Sequence, residues 1–249
     1  MDWRLTETAR RWQGRASPWL GRLLAVERLT LVLLILVAGG LWIFVELAGE
    51  VVEGDSHAFD EALLLALRHP LDPADPLGPR WLDELGRDVT ALGSMVVLTS
   101  VVLAACGYLL LQRKLHAALV VLASTGGGVV LSALLKSAFD RPRPDLIPHG
   151  LMLYTTSFPS QHSMMAAVVY LTLGALLARV QPDPRFKAYL LGLAVLVTFA
   201  VGVSRVYLGV HWPTDVLAGW CIGAAWPLLW WLIMLRLQRS GEIEGGPAG

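Results

Sequence analysis

The chain has 249 residues, 55% of them hydrophobic and 16% charged, with 20 Lys and Arg balanced by 20 Asp and Glu and a mean hydropathy of +0.57. That is too apolar for a soluble globule of this size, so the expected solvent is a lipid bilayer. No nucleic-acid partner is expected.

Residues 1–28 carry Arg4, Arg10, Arg11, Arg15, Arg22 and Arg28 together with Trp12 and Trp19. They are expected to form a basic amphipathic tail on the anionic cytoplasmic leaflet. The basic stretch is long and has no clear small-residue cleavage pattern, which favours an uncleaved anchor over a signal peptide.

Runs free of Asp, Glu, Lys and Arg then extend from Leu29 to Val45, Val89 to Gln112, Leu115 to Leu135, Leu146 to Ala178, Ala188 to Ser204 and Val216 to Leu235. A crossing takes about 20 apolar residues, so six spans fit. Only helices or closed barrels satisfy the backbone in lipid, and no period-2 alternation indicates a barrel. The predicted fold is therefore an all-α integral membrane bundle of six helices over residues 29–236, followed by a flexible cytoplasmic tail, 237–249.

The connection Glu46 to Asp88 is long and acidic. Its apolar run Phe59 to Leu67 is too short to span, and Trp81, Leu82 and Leu85 mark a second amphipathic stretch. Short interfacial helices are predicted there, either roofing the bundle or shaping a lipid entrance. The fourth run exceeds a span, but Pro148, Gly150, Thr155-Thr156 and Pro159 break its first part. The reading is a loop over Phe139 to Phe158 and a helix starting near Pro159 or Ser160, where proline is tolerated.

Most basic residues fall on one side: the tail, Arg113-Lys114, the Arg179, Arg185 and Lys187 group, and Arg236 with Arg239. The positive-inside rule then predicts cytoplasmic termini and an outward-facing site. Cys106 and Cys221 fall inside spans and read as small buried hydrophobes, with no disulfide framework. Trp220, Trp226, Trp230 and Trp231 read as packing plus an interfacial belt.

The chemistry-bearing residues stand at helix ends. Lys136 follows an apolar run, and an ionisable residue there is either functional or a lysine snorkelling to the interface. Seven residues on, Arg143-Pro144 offers a planar fork matched to phosphate oxygens, where lysine is a point charge. Ser160, Gln161 and His162 open the fourth helix, whose N-terminal N–H groups point at any anion held there. Ser160 can cap and donate; His162 is a hydrogen-bonded structural histidine or a general acid.

Arg205 ends the fifth helix, and His211 precedes the sixth with Asp215 four residues on. That spacing lets Asp215 accept Nδ1–H and leaves Nε2 to attack, so His211 is the predicted nucleophile. A metal reading would use His162, His211 and Asp215 as ligands, but three nearby cations would repel a divalent ion. No cofactor is expected. His57, His69, His116 and His149 read as surface or interface residues.

Lys136 with Arg143-Pro144, then Pro159-Ser160-Gln161-His162, then Ser204-Arg205 with His211 and Asp215, resembles the three-part signature of the type 2 phosphatidic acid phosphatase superfamily, which includes integral lipid phosphatases and soluble vanadium haloperoxidases. The matching core covers about 136–215. The resemblance implies that Lys136, Arg143 and Arg205 bind phosphate oxygens with help from Ser160 and the Gln161 amide. It further implies that His211 forms a phosphohistidine, Asp215 orients it, and His162 protonates the leaving group before activating water. Gln161 departs from the family's usual glycine; a helix start accommodates glutamine, and its bulk bears on pocket size. Arg141-Pro142 duplicates Arg143-Pro144, and spacing favours Arg143, leaving Arg141 near the site or solvated.

Three classes stay open: a phosphatase of a lipid phosphate or isoprenoid diphosphate, a lipid-donor phosphotransferase, and a phosphate-selecting transporter. The sequence carries no signal for the identity of the lipid or for an oligomeric state.

Overall fold

The structure, a computed structural model, describes residues 3–145 and 156–239, with side chains over 28–145, 156–233 and at Arg236. Pro148, His149 and Gly150, and most of the predicted C-terminal tail, lie outside the described residues, as do the side chains of the N-terminal tail.

In chain order the elements are α1 (Trp3–Glu53), α2 (His57–Leu65), β1 (Arg68–His69), β2 (Asp72–Pro76), α3 (Arg80–Ala91), α4 (Met95–Leu111), α5 (Leu115–Ala138), α6 (Gln161–Val180), α7 (Pro184–Tyr207) and α8 (Pro213–Arg239). Among the described residues, five segments are long and apolar enough to cross a membrane: Arg28–Glu53 of α1, then α5, α6, α7, and Pro213–Ile233 of α8. The pair α3 and α4, bent by 48°, makes a sixth if taken as one span. The protein is thus a membrane protein whose five to six candidate spans among the described residues are all helical. Large apolar side chains such as Leu31, Ile35, Trp42, Val45, Val195 and Phe199 are exposed on its flanks, as a lipid-facing surface requires.

Three details differ from expectation. The run from Val89 to Gln112 is not one straight helix, because the chain turns at Leu92–Ser94 and the Ser94 hydroxyl caps α4 by accepting from the Val97 N–H at 3.3 Å. The connection 46–88 holds the two expected short helices, but also an antiparallel ribbon, β1 with β2. Finally, α1 runs as a single 51-residue helix through the predicted tail.

Hydrophobic contact does not drive helices together in lipid, where close approach through small residues does. On α8, Gly219 and Gly223 are spaced four apart and receive the start of α6. A Cβ at Gly219 would stand 2.8 Å from the Ser160 carbonyl oxygen, and one at Gly223 would stand 2.5 Å from that of Met164. This crossing fixes the start of α6 against the start of α8. Helix α1 covers the other face of α8 through Phe44, Ala48, Ala218 and Ile222. On α7, Trp220 of α8 donates to the Thr198 carbonyl at 3.1 Å and stacks on Phe199.

Candidate active site

The C-terminal ends of α5 and α7 and the N-terminal ends of α6 and α8 meet at one end of the bundle, under α2, the ribbon and α3. Helix α7 stops there because Gly209 adopts φ 68°, a left-handed turn that a side chain rarely tolerates. The turn delivers Val210 and His211 to the start of α8.

His211 is buried and held at both ring nitrogens. Its Nδ1 lies 3.2 Å from Asp215 Oδ2, and its Nε2 lies 3.1 Å from Arg143 Nη1, which also donates to the Val210 carbonyl at 2.8 Å. A guanidinium has donors only. Nε2 is therefore the lone-pair nitrogen and Nδ1 carries the proton toward Asp215. Burial pushes the imidazole down to about 4, with the charges of Arg205 and Arg143 adding to the effect and Asp215 opposing it. The ring is neutral at neutral pH.

Asp215 does more than orient His211. Its Oδ2 accepts from the Trp212 N–H at 3.0 Å, the reach-back half of a capping box at the start of α8, and from the Ser157 hydroxyl. Its Oδ1 accepts from Arg141 Nη1 at 2.6 Å. Its backbone carbonyl accepts from the Ser160 N–H at 3.0 Å, which ties α6 to α8.

The cations predicted from sequence converge. Lys136, Arg143 and Arg205 act electrostatically on one another, and all three act on His162 together with His211. Lys136 Nζ lies 3.5 Å from the Thr156 carbonyl. Arg205 is buried; its Nη1 donates to Thr90 at 3.1 Å, and its Nε has no partner among the described residues. A buried donor left so is costly unless an anion takes it. Burial also pulls the Arg143 guanidinium below its ordinary value, with Asp215 opposing.

Two of the predicted phosphate ligands are placed less directly. Ser160 is the N-cap residue of α6, but its side chain makes no cap bond; its hydroxyl is buried and accepts from Ser163 at 3.0 Å. Gln161 begins the helix and is half-buried.

Arg141 is not solvated. It bridges Asp215 and Asp60, donating to Asp60 Oδ2 at 2.5 Å from Nη2, and it lies against the Trp212 ring. Asp60, Ser157, Thr214 and Arg141 are site components that motif spacing misses. Among the described residues, no group of three or more His, Cys, Asp or Glu is arranged to hold a metal.

The chain is similar to known proteins over most of its length. The model of the PAP2 superfamily matches residues 117–239. Phosphatidylglycerophosphatase B of Bacillus subtilis is 35% identical over 146 residues, 57% of this chain and 70% of that protein. Undecaprenyl-diphosphatase of Sulfolobus acidocaldarius is 37% identical over 92 residues, 35% of this chain and 36% of that protein. The crystal structure of a transmembrane PAP2-type phosphatidylglycerolphosphate phosphatase from Bacillus subtilis superposes with a TM-score of 0.67 at 28% identity, covering 86% of this chain and all of that one. With three ordered motifs gathered at one end of a helical membrane bundle, the chain belongs to the PAP2 superfamily, in its transmembrane lipid phosphatase branch.

Proposed function

We propose that the protein hydrolyses a membrane lipid phosphate through a phosphohistidine on His211, without a metal. The observation that carries the reading is the line Asp215–His211–Arg143. It holds a neutral imidazole with its lone pair on Nε2 beside a guanidinium suited to phosphate oxygens.

Nε2 attacks phosphorus, a P–N bond forms, and the P–O bond to the lipid breaks. The ring becomes cationic as it is phosphorylated, and Asp215 stabilises that charge across Nδ1–H. His162, protonated alongside the bound phosphate dianion, gives its proton to the leaving oxygen and then takes one from water; the water oxygen attacks phosphorus, the P–N bond breaks with its electron pair returning to Nε2, and inorganic phosphate leaves. Covalent catalysis divides one hard step into two. Lys136, Arg143 and Arg205 bind the oxygens where charge accumulates, the part metal clamps take elsewhere in phosphoryl transfer. Ser160 and the Gln161 amide complete the phosphate cradle.

The likeness to phosphatidylglycerophosphatase B supports a glycerophospholipid phosphate monoester as first substrate, and the likeness to undecaprenyl-diphosphatase supports an isoprenoid diphosphate as second. The Lys and Arg distribution supports cytoplasmic termini and a site opening on the outer side.

The test is phosphate release by purified protein from phosphatidylglycerol phosphate, phosphatidic acid and undecaprenyl diphosphate, with chelator present, beside His211→Ala. Release by the wild type alone is expected. Release by His211→Ala, or chelator-sensitive release restored by a divalent ion, would overturn the mechanism.

A further inference from the structure

Asp60 lies on α2, far in sequence from every phosphate motif, yet it is fully buried against the start of α8. Its Oδ1 accepts from the Thr214 N–H at 2.9 Å; its Oδ2 accepts from the Thr214 hydroxyl at 2.5 Å and from Arg141 Nη2 at 2.5 Å. Arg141 in turn donates to Thr214 Oγ1 at 2.8 Å and to Asp215 Oδ1 at 2.6 Å. We propose that Asp60 is a positioning residue for the reaction, holding the His211–Asp215 pair in register through Arg141 and through the first turn of α8.

Two physical arguments converge on it. The first is capping. A helix start leaves N–H groups without partners, and a side chain at the N-cap normally accepts from one of them. The residue before Pro213 is Trp212, whose side chain has no acceptor. Asp60 supplies that acceptor from another helix, and the turn it fixes is the one that carries Asp215.

The second is charge. Asp60, Arg141, Asp215 and His211 form a buried series in which two carboxylates share one guanidinium. If Asp60 were neutral, the full charge of Arg141 would fall on Asp215, and less negative potential would remain at the imidazole when it becomes cationic. Asp60 thus keeps Arg141 from cancelling the carboxylate that the nucleophile needs. This inference rests on the assignment of His211 as nucleophile.

The groups facing His211 are Asp215 from α8, Arg143 and Arg141 from the segment after α5, Arg205 from α7, and His162 from α6, with Lys136 of α5 beyond. Removing the Asp60 charge subtracts negative potential from this set. The acid limb of kcat/KM should then move to lower pH, because protonating His211 becomes harder.

The experiment measures phosphate release from phosphatidylglycerol phosphate in detergent micelles by Asp60→Asn, Asp60→Glu, Arg141→Gln, the Asp60→Asn/Arg141→Gln pair, and His211→Ala. Asp60→Asn should lose about 10- to 100-fold in kcat, by analogy with loss of a group that orients a metal ligand, with KM nearly unchanged and the acid limb lowered. Asp60→Glu should restore part of the rate. The double variant should be faster than Asp60→Asn alone, since no unbalanced cation then faces Asp215. If Asp60→Asn cannot be purified folded, Arg141→Lys carries the test; it keeps the charge but cannot fork to both carboxylates, and should lose kcat at constant KM. Wild-type kcat and pH profile in Asp60→Asn, or in Arg141→Lys where that replaces it, beside an inactive His211→Ala would overturn this inference alone. An active His211→Ala would overturn the mechanism beneath it.

Discussion

Arg143 Nη1 lies 3.1 Å from His211 Nε2, so the guanidinium that sequence spacing assigns to phosphate also touches the atom assigned to attack it. In the proposed reaction one cation would serve the nucleophile and the electrophile: its donor favours the tautomer with a lone pair on Nε2, and its remaining donors would meet the phosphate oxygens. Lysine at this position keeps a charge but loses the planar fork. Arg143→Lys should therefore lower kcat/KM by more than a lost charge-assisted hydrogen bond alone, about 10- to 100-fold for 1.5–3 kcal/mol. Steady-state kinetics on the purified variant check this; a loss of less than tenfold would show that only the charge at position 143 matters.

Besides His211, the Asp215 carboxylate is held by the Trp212 N–H, the Ser157 hydroxyl and Arg141, so its geometry should survive loss of charge. Asp215→Asn presents an amide whose N–H₂ can face Nδ1, favouring the tautomer with the proton on Nε2 and leaving the attacking atom without a lone pair. The corresponding change in a serine-protease triad costs about 10⁴-fold in kcat, and a loss of that order is expected here. Retained helical circular dichroism with collapsed turnover is the expected pair of measurements; a loss under tenfold would remove Asp215 from the chemistry.

His162 is expected to matter unequally to the two halves of the reaction. A substrate with a good leaving group, such as a diphosphate lipid that departs as a phosphate monoester, needs little proton donation to phosphorylate His211, whereas hydrolysis of the P–N bond still needs an activated water. His162→Ala incubated with ³²P-labelled diphosphate lipid should accumulate covalent label that is lost in acid and retained in alkali, as a phosphoramidate is. Label absent from His162→Ala but present in the wild type would show that His162 is already required to form the phosphoenzyme.

The phosphate motifs are legible in the sequence because cations and histidines at the ends of apolar runs are costly unless something requires them. Lys136, His162, Arg205 and His211 stand out against their neighbours on that ground, while Arg143 and Asp215 are picked out by their spacing from Lys136 and His211. Asp60 does not stand out, because it sits among Glu53, Asp55 and Glu61 in an acidic connection, where a buried carboxylate reads like a solvated one. Arg141 is obscured by the adjacent duplicate Arg-Pro, and only the fold reveals which guanidinium meets Asp215. Hydropathy finds the run 89–112 but cannot show its bend, although Ser94 before an apolar stretch is a cap signal. The Gly219–Gly223 spacing is likewise a packing signal readable without coordinates.

That spacing gives a structural test. A side chain at Gly223 would press on the Met164 carbonyl in the backbone of α6, which cannot yield as a flexible side chain does. Gly223→Leu should separate α6 from α8, destabilise the protein by at least the 1–3 kcal/mol or so typical of overpacking, and remove activity by moving His162 away from His211. Gly192→Leu is the control, since nothing lies within 4 Å of a Cβ there. Thermal unfolding in detergent with parallel phosphate release checks both. An equal effect of the two substitutions would mean that leucine harms these helices regardless of the crossing.

The buried state of His211 sets a pH dependence whose sign follows from proton counting. The folded imidazole is depressed to about 4 from its ordinary 6.5, by burial first and then by Arg205 and Arg143 against Asp215. Between those values the unfolded chain binds a proton at this residue that the folded chain does not, so stability rises with pH there. The contribution is complete above about 6.5, declines as pH falls toward 4, and has gone below it. Other groups titrate in the same range, so the quantity to measure is the difference in unfolding temperature between wild type and His211→Asn, which lacks the titration. That difference should shift against the wild type on going from pH 7 to pH 4.5. A difference that is flat, or that shifts in favour of the wild type, would mean that His211 is charged in the folded protein, and the lone pair on which nucleophilic attack depends would be missing.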